Sequence, residues 1–404
     1  MGALPKPPTL GLELRQTASA ALPTFPAASV GAASARMSDL KINGMTMRYS
    51  QFMPRLYNLC LALGFQRGRI LPSRAFCSDE TQGYPTILIA QHFGTFPFDH
   101  GSVGGRVATD RHGPHADHGD NLVIIHATHV GYDSERRSFG TYERLLTDSG
   151  KHTHNCGKLC AVMQWYRQEY DYARANVLLG FVEGQRAIFI DNHLLDQERG
   201  EGLFLHLDRL IGTPALTPLH ALSTSKAFSA SDRLVQKLPS TLWHEKRQPI
   251  GEGLAPDLFF FRRDPGSGPD GHDLLEMGLA PAMPALMVSP YPALDAARFT
   301  TQVEFDRVYR SLQRNRAYRG KNLLFVSGVN IDVSPRPGLP FPLTKFVPWA
   351  AYVRLRGQDG YVLEQLELFD ALSRQPSGNP DQTSFDAAIH TMASAEEIKL
   401  PPVN

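Results

Sequence analysis

Three short stretches of this 404-residue chain carry side chains suited to holding a metal ion. The first is Cys77-Ser78-Asp79-Glu80. A carboxylate two residues from a thiol opposes thiolate formation unless a cation is nearby, and a zinc ion is such a cation. Asp79 would then accept a hydrogen bond from a group on the metal, or ligate the metal itself. A buried cysteine next to a capping aspartate is the plainer alternative. The second stretch is His126-Ala-Thr-His129-Val-Gly131, directly after the apolar run Leu122-Val-Ile-Ile125. Three residues apart on a strand, the two histidines would not share a face, so one of them is expected to be a ligand. The third is His152-Thr-His154-Asn-Cys156-Gly157. Here a helix beginning after the cysteine would lower its thiol pKa through the helix N-terminus.

Two cysteines and one histidine are the three-ligand set of a catalytic zinc site, whose fourth position stays open. A zinc finger is a poor fit, because no close Cys-x-x-Cys pair exists and Cys156 and Cys160 stand one helical turn apart. A nucleophilic hydrolase with Cys156 attacking and His154 as base is a rival, but it leaves Cys77-Ser-Asp79 without a role.

The elements around these stretches read as α/β. Met53, Leu56, Leu59, Cys60 and Leu63 recur at helical spacing between Phe52 and Leu63, which puts Cys60 in a core stripe. Thr86–Ala90 and Leu122–Ile125 read as buried strands, and a helix is expected over Leu159–Ala173. Residues 92–119 hold six glycines and read as a loop-rich stretch, and 131–153 as loop and turn. Leu178–Val182, Ala187–Ile190, and Asn322–Val326 with Val329–Val333 after a break at Gly328 read as further strands, and 264–272 as a linker. Strands alternating with helices imply a mostly parallel sheet flanked by helices, with its chemistry at strand ends. The expected division is a flexible tail or leader over 1–36, one domain over 37–374 and a polar tail over 375–404.

Composition narrows the partners. Lys+Arg 41 against Asp+Glu 40 leaves a formal charge of +1, which gives no case for nucleic acid or an anionic membrane surface. No apolar run approaches the roughly 18 residues that span a bilayer. Four cysteines in a chain of this length do not form a disulfide framework, so a reducing compartment such as the cytoplasm is expected. The first 36 residues, with Glu13 as their one acid, leave open a transit peptide and an organellar stroma.

Taken in order, the motifs resemble the limiting-CO2-inducible protein B/C family of β-type carbonic anhydrase-like proteins. Most β-carbonic anhydrases carry Cys-x-Asp-x-Arg and later His-x-x-Cys-Gly. In this chain Thr81 stands at the arginine position and Thr153 at the histidine position. Both departures are similar to the B/C branch, whose pieces match here as Cys77-Ser-Asp79-Glu80, the run GSVGGRVATDRHG over 101–113, His129-Val130-Gly131 and Cys156-Gly157. Val329-Asn-Ile-Asp332 echoes a late strand of that family. The match spans about residues 55–165. The resemblance implies a β-carbonic anhydrase-like fold, zinc on Cys77, His129 and Cys156, reversible hydration of CO2 to bicarbonate through a zinc-hydroxide, and a homodimer. It also implies that Asp79 is gripped by an arginine, for which Arg111 is the expected residue and Arg106 its rival. His112, His115 and His118 would be proton shuttles or, as the preferred reading, members of a solvated loop. A zinc-holding but catalytically weak subunit in inorganic-carbon handling is the alternative function.

Overall fold

The computed structural model describes residues 30–144, 151–212, 217–264, 273–339 and 341–396. Its central sheet runs in the order Met47–Arg48, Leu343–Arg354, Asn322–Val333, Asn121–Asp133, Ile70–Ala75, Phe98–Asp99. The last four strands are mutually parallel; Leu343–Arg354 joins them antiparallel, and Met47–Arg48 pairs antiparallel with Leu343–Arg354. The expected α/β class and parallel sheet are therefore present, with an antiparallel edge added.

The two central strands show why the sheet is covered on both sides. Along Asn121–Asp133, Val123, Ile125 and Ala127 join Leu324 and Val326 in a cluster with Phe52, Met53 and Leu56. The alternate residues Leu122, Ile124, Leu323 and Phe325 pack on Phe305, Val308 and Leu312 of the long Pro292–Arg314 helix. A continuous apolar run is what a strand buried on both faces requires. The first face belongs to the Tyr49–Ala62 helix, where Cys60 is fully buried as expected.

Asn322–Val333 is a strand with an irregularity at Gly328, as expected. Its register with Leu343–Arg354 shifts between Ser327 and Gly328, where a Cβ would sit 2.3 Å from the Val347 carbonyl oxygen. Only glycine allows the neighbouring backbone that close.

Thr86–Ala90 is not a strand. It lies inside the Gly83–Phe93 helix, with Ile87 exposed and Leu88, Ile89 and Phe93 buried. Four apolar residues in a row, Ile87 to Ala90, satisfy either period, and the deciding signals were Pro85 in the first turn and the stop at Gly94. Residues 131–153, read as loop, include the end of the Asn121–Asp133 strand and the short pair Thr141–Glu143 with His152–His154. The strands expected over 178–182 and 187–190 belong to a separate five-stranded antiparallel sheet, which pattern alone did not reveal. The linker expected over 264–272 lies, from residue 265 on, outside the described residues.

The expected boundary after residue 36 falls inside a helix. Val30–Asp39 buries Ala33 and Met37, and Gln302 Nε2 donates to the Arg36 carbonyl oxygen at 2.6 Å. At the other end, residues 376–383 hug the surface. Asn58 Nδ2 donates to the Pro376 and Gly378 carbonyl oxygens, both at 2.9 Å, and Tyr57 donates to Asp381 at 3.0 Å. No helix among the described residues is long and apolar enough to cross a membrane.

Candidate metal centre

Cys77 lies just past the C-terminal end of the Ile70–Ala75 strand, and His129 lies towards the end of its parallel neighbour. Cys156 caps the N-terminus of the Gly157–Asn176 helix. Two backbone bonds fix its approach: Gly131 N–H donates to the Asn155 carbonyl at 2.7 Å, and Asn155 N–H to that of Gly140 at 3.0 Å. The ends of parallel strands and a helix N-terminus thus converge on one point, where an α/β sheet leaves its crevice.

Ligand atoms of Cys77, His129 and Cys156 all lie within 4.8 Å of one another, and all three residues are buried. The two Sγ atoms are 4.0 Å apart. A disulfide needs about 2.05 Å. Two thiolates on one tetrahedral zinc stand roughly 3.8 Å apart, given Zn–S bonds near 2.3 Å. His129 contributes Nε2, which is buried and has no hydrogen-bond partner among the described residues. Its other nitrogen, Nδ1, is committed to Asp332 Oδ2 at 2.9 Å. An orphaned imidazole nitrogen aimed between two sulfurs fits a zinc or similar soft-tolerant ion.

The electrostatics mark the same point as a place for positive charge. Hydrogen bonding from Cys156 holds the Cys77 thiol well below its ordinary pKa against the effect of burial, and His129 and the Asp79 backbone N–H add to this. The bond to Cys77, then burial, pushes the Cys156 thiol up. Burial would lower His129, but Asp332 and then the two thiols outweigh it and raise it well above the imidazole range. Gly104 N–H also donates to Cys77 Sγ at 3.3 Å. Gly104 has φ +70, a conformation that side chains resist.

Asp79 stands beside the triad, but among the described residues no arginine grips it. Its Oδ1 accepts from Thr81 N–H at 3.1 Å, Thr81 Oγ1 at 2.8 Å and Asn155 Nδ2 at 3.4 Å. Arg111 donates instead to the Asp99 carbonyl oxygen at 3.5 Å, and Arg106 pairs with Glu304 at 3.5 Å. Both sit on the glycine-rich segment, whose backbone is turned so that its N–H, not its guanidinium groups, meets the triad. Burial raises the Asp79 carboxyl above its usual range, against the pull of His129 and Thr81.

His126 is satisfied elsewhere, by Ser327 Oγ at 2.7 Å and the Gly105 carbonyl at 2.9 Å. His152 and His154 are exposed. The solvated-loop reading of the 112–118 histidines fails for His112 and His115, which are fully buried around His100, Phe98 and Tyr318. Burial takes His115 down to about 4, so it does not shuttle protons near neutral pH.

Sequence reasoning missed the role of Asp332. Its carboxylate is fully buried and accepts from His129, Gln82 Nε2 at 2.9 Å, Thr81 Oγ1 at 2.9 Å and Thr344 at 3.0 Å. A carboxylate on the second nitrogen of a metal-binding histidine fixes its tautomer and ring orientation. The available signal was Asn330 and Asp332, two polar residues at period two in a largely apolar strand.

Neither a protein-family model nor a curated protein sequence matches the chain. Among solved structures the chain is similar to PtLCIB4, a homologue of the limiting CO2-inducible protein LCIB, at 13% identity and a TM-score of 0.47, covering 83% of this chain and 99% of that one. It is also similar to LCIB itself, at 13% identity and a TM-score of 0.41, covering 80% and 96%. The functional reading of the site rests on its own geometry.

Proposed function

We propose that this chain binds one zinc ion through Cys77, His129 and Cys156 and catalyses the reversible hydration of CO2 to bicarbonate. The observation that carries the reading is the buried triad with a partnerless His129 Nε2 beside Asp79. Bound there, zinc supplies a water acidic enough to yield a nucleophile near neutral pH. Two thiolates balance a divalent charge, and Asp332 keeps the imidazole pointed at the metal position. Asp79 is placed to accept a hydrogen bond from a group at the fourth position and so to orient it. The reading includes a homodimer in a reducing compartment such as the cytoplasm, where four free thiols persist.

A second reading, a zinc-holding subunit with little turnover that binds bicarbonate or a partner protein, draws support from the neutral donors on Asp79. They hold a carboxylate less firmly against a nearby cation than a guanidinium does. Stopped-flow CO2 hydration by chain carrying one zinc decides between the two. Turnover well above buffer that vanishes in Asp79→Ala supports the enzyme, and full zinc with background rates overturns it.

A further inference from the structure

We propose that Thr81 is the residue that holds Asp79 off the metal position, through a single hydroxyl proton placed between Asp79 and Asp332. The inference rests on the triad holding a metal, as read above. Thr81 is 1% exposed, and its Oγ1 lies 2.8 Å from Asp79 Oδ1 and 2.9 Å from Asp332 Oδ2. The same oxygen lies 3.1 Å from Gln82 Nε2 and 3.1 Å from Asn155 Nδ2, and both amides donate to it. Its acceptor capacity is therefore used, and one proton is left for two carboxylates.

The two carboxylates are unequally supplied. Asp332 has donors besides Thr81 in His129, Gln82 and Thr344, all within 3.0 Å. Among the described residues, Asp79 has besides the hydroxyl only the Thr81 backbone N–H at 3.1 Å and the long contact from Asn155 at 3.4 Å. The hydroxyl proton therefore serves Asp79, where it replaces the poorest supply with a short, charge-assisted bond. Asp332 accepts the loss because its remaining donors converge on it. Thr81 is thus a positioning residue. The two amides that donate to its oxygen occupy its lone pairs and leave the hydroxyl proton facing the carboxylates.

A divalent cation attracts any loose carboxylate nearby. Without the hydroxyl, Asp79 keeps a backbone N–H and one weak amide contact, and its remaining path is onto the metal as fourth ligand.

The test uses the full chain loaded with cobalt(II) in place of zinc, comparing wild type with Thr81→Val and Thr81→Ser. Metal content, the visible cobalt bands and their response to azide are measured. Wild type and Thr81→Ser are expected to bind one cobalt and to shift their bands with azide. Thr81→Val is expected to keep the cobalt but to bind azide at least tenfold more weakly, and Thr81→Val combined with Asp79→Asn should recover the response. If Thr81→Val does not fold, Thr81→Ala takes its place in the same comparison. Azide binding by the hydroxyl-free variant equal to wild type overturns the proposal. So does a Thr81→Ser variant that behaves like Thr81→Val, since methyl packing would then be what matters. Wild type that binds cobalt but ignores azide overturns it as well. A chain that takes up no cobalt at all refutes the metal reading itself, a separate failure.

Discussion

Asp332 Oδ2 lies 2.9 Å from His129 Nδ1, and both side chains are completely shut off from solvent. The carboxylate can leave neither its partner nor its shape without cost. Asp332→Asn keeps the shape but removes the charge, and it should weaken zinc binding about 10–100-fold, as losses of such outer partners do. Competition against a chromophoric chelator measures this, and an unchanged affinity would show that the pair does not support the metal. Asp332→Ala should also destabilise the fold by roughly 3–5 kcal/mol, because it strands buried donors.

The histidines should separate cleanly. His129→Ala is expected to lose zinc, whereas His154→Ala and His152→Ala keep one zinc per chain, since both are exposed on a short strand pair. Zinc analysis by atomic emission after gel filtration gives the answer. An empty His154→Ala with a full His129→Ala would move the site to a different ligand set.

Arg111 offers a test of the clamp on Asp79. The guanidinium contacts the Asp99 carbonyl and not Asp79, so Arg111→Ala should keep zinc and stay within about twofold of wild type in CO2 hydration. Selective loss of turnover at full zinc would show that the arginine swings to Asp79 during the reaction.

Acid should unfold the chain earlier than its carboxylates alone would. Burial takes His92, His115 and His126 down to about 4 and His100 to about 3. The unfolded chain binds these protons from about pH 6.5 downward. The folded state binds fewer protons in that window, so stability falls as the pH drops from about 6.5 towards 4. Each histidine contributes up to ~1.4 kcal/mol per pH unit. Urea midpoints at pH 7.5, 6 and 5 follow the effect, and a midpoint that is flat from 7.5 to 5 contradicts it.

The three residues of the candidate metal centre were legible because each sits where a local signal changes: a thiol near an acid, a histidine ending an apolar run, a cysteine before a helix. Local signals are all that a single chain displays without contacts. Asp332 and Thr81 were harder because their meaning lies in partners 203 and 251 residues away. The Arg111 assignment failed for a related reason: distance along a loop says little about where a long side chain turns. The Gly83–Phe93 helix was misread because four consecutive apolar residues fit either periodicity, and the separate antiparallel sheet was missed because strand pairing is not written in pattern alone.

The carboxylate of Asp332 gathers donors from the segments around Thr81, His129 and Thr344, so the three candidate ligands, all within the first 156 residues, are not enough to make the centre. A chain emerging from the ribosome displays Cys77, His129 and Cys156 long before residue 332 can close the sheet between them and the edge strand. Such long-range closure is slow compared with local helix formation. On the proposed metal reading, tight capture of the ion is expected late, after the parallel pairing of the two central strands, so that its onset in refolding would serve as a clock for completion of the sheet.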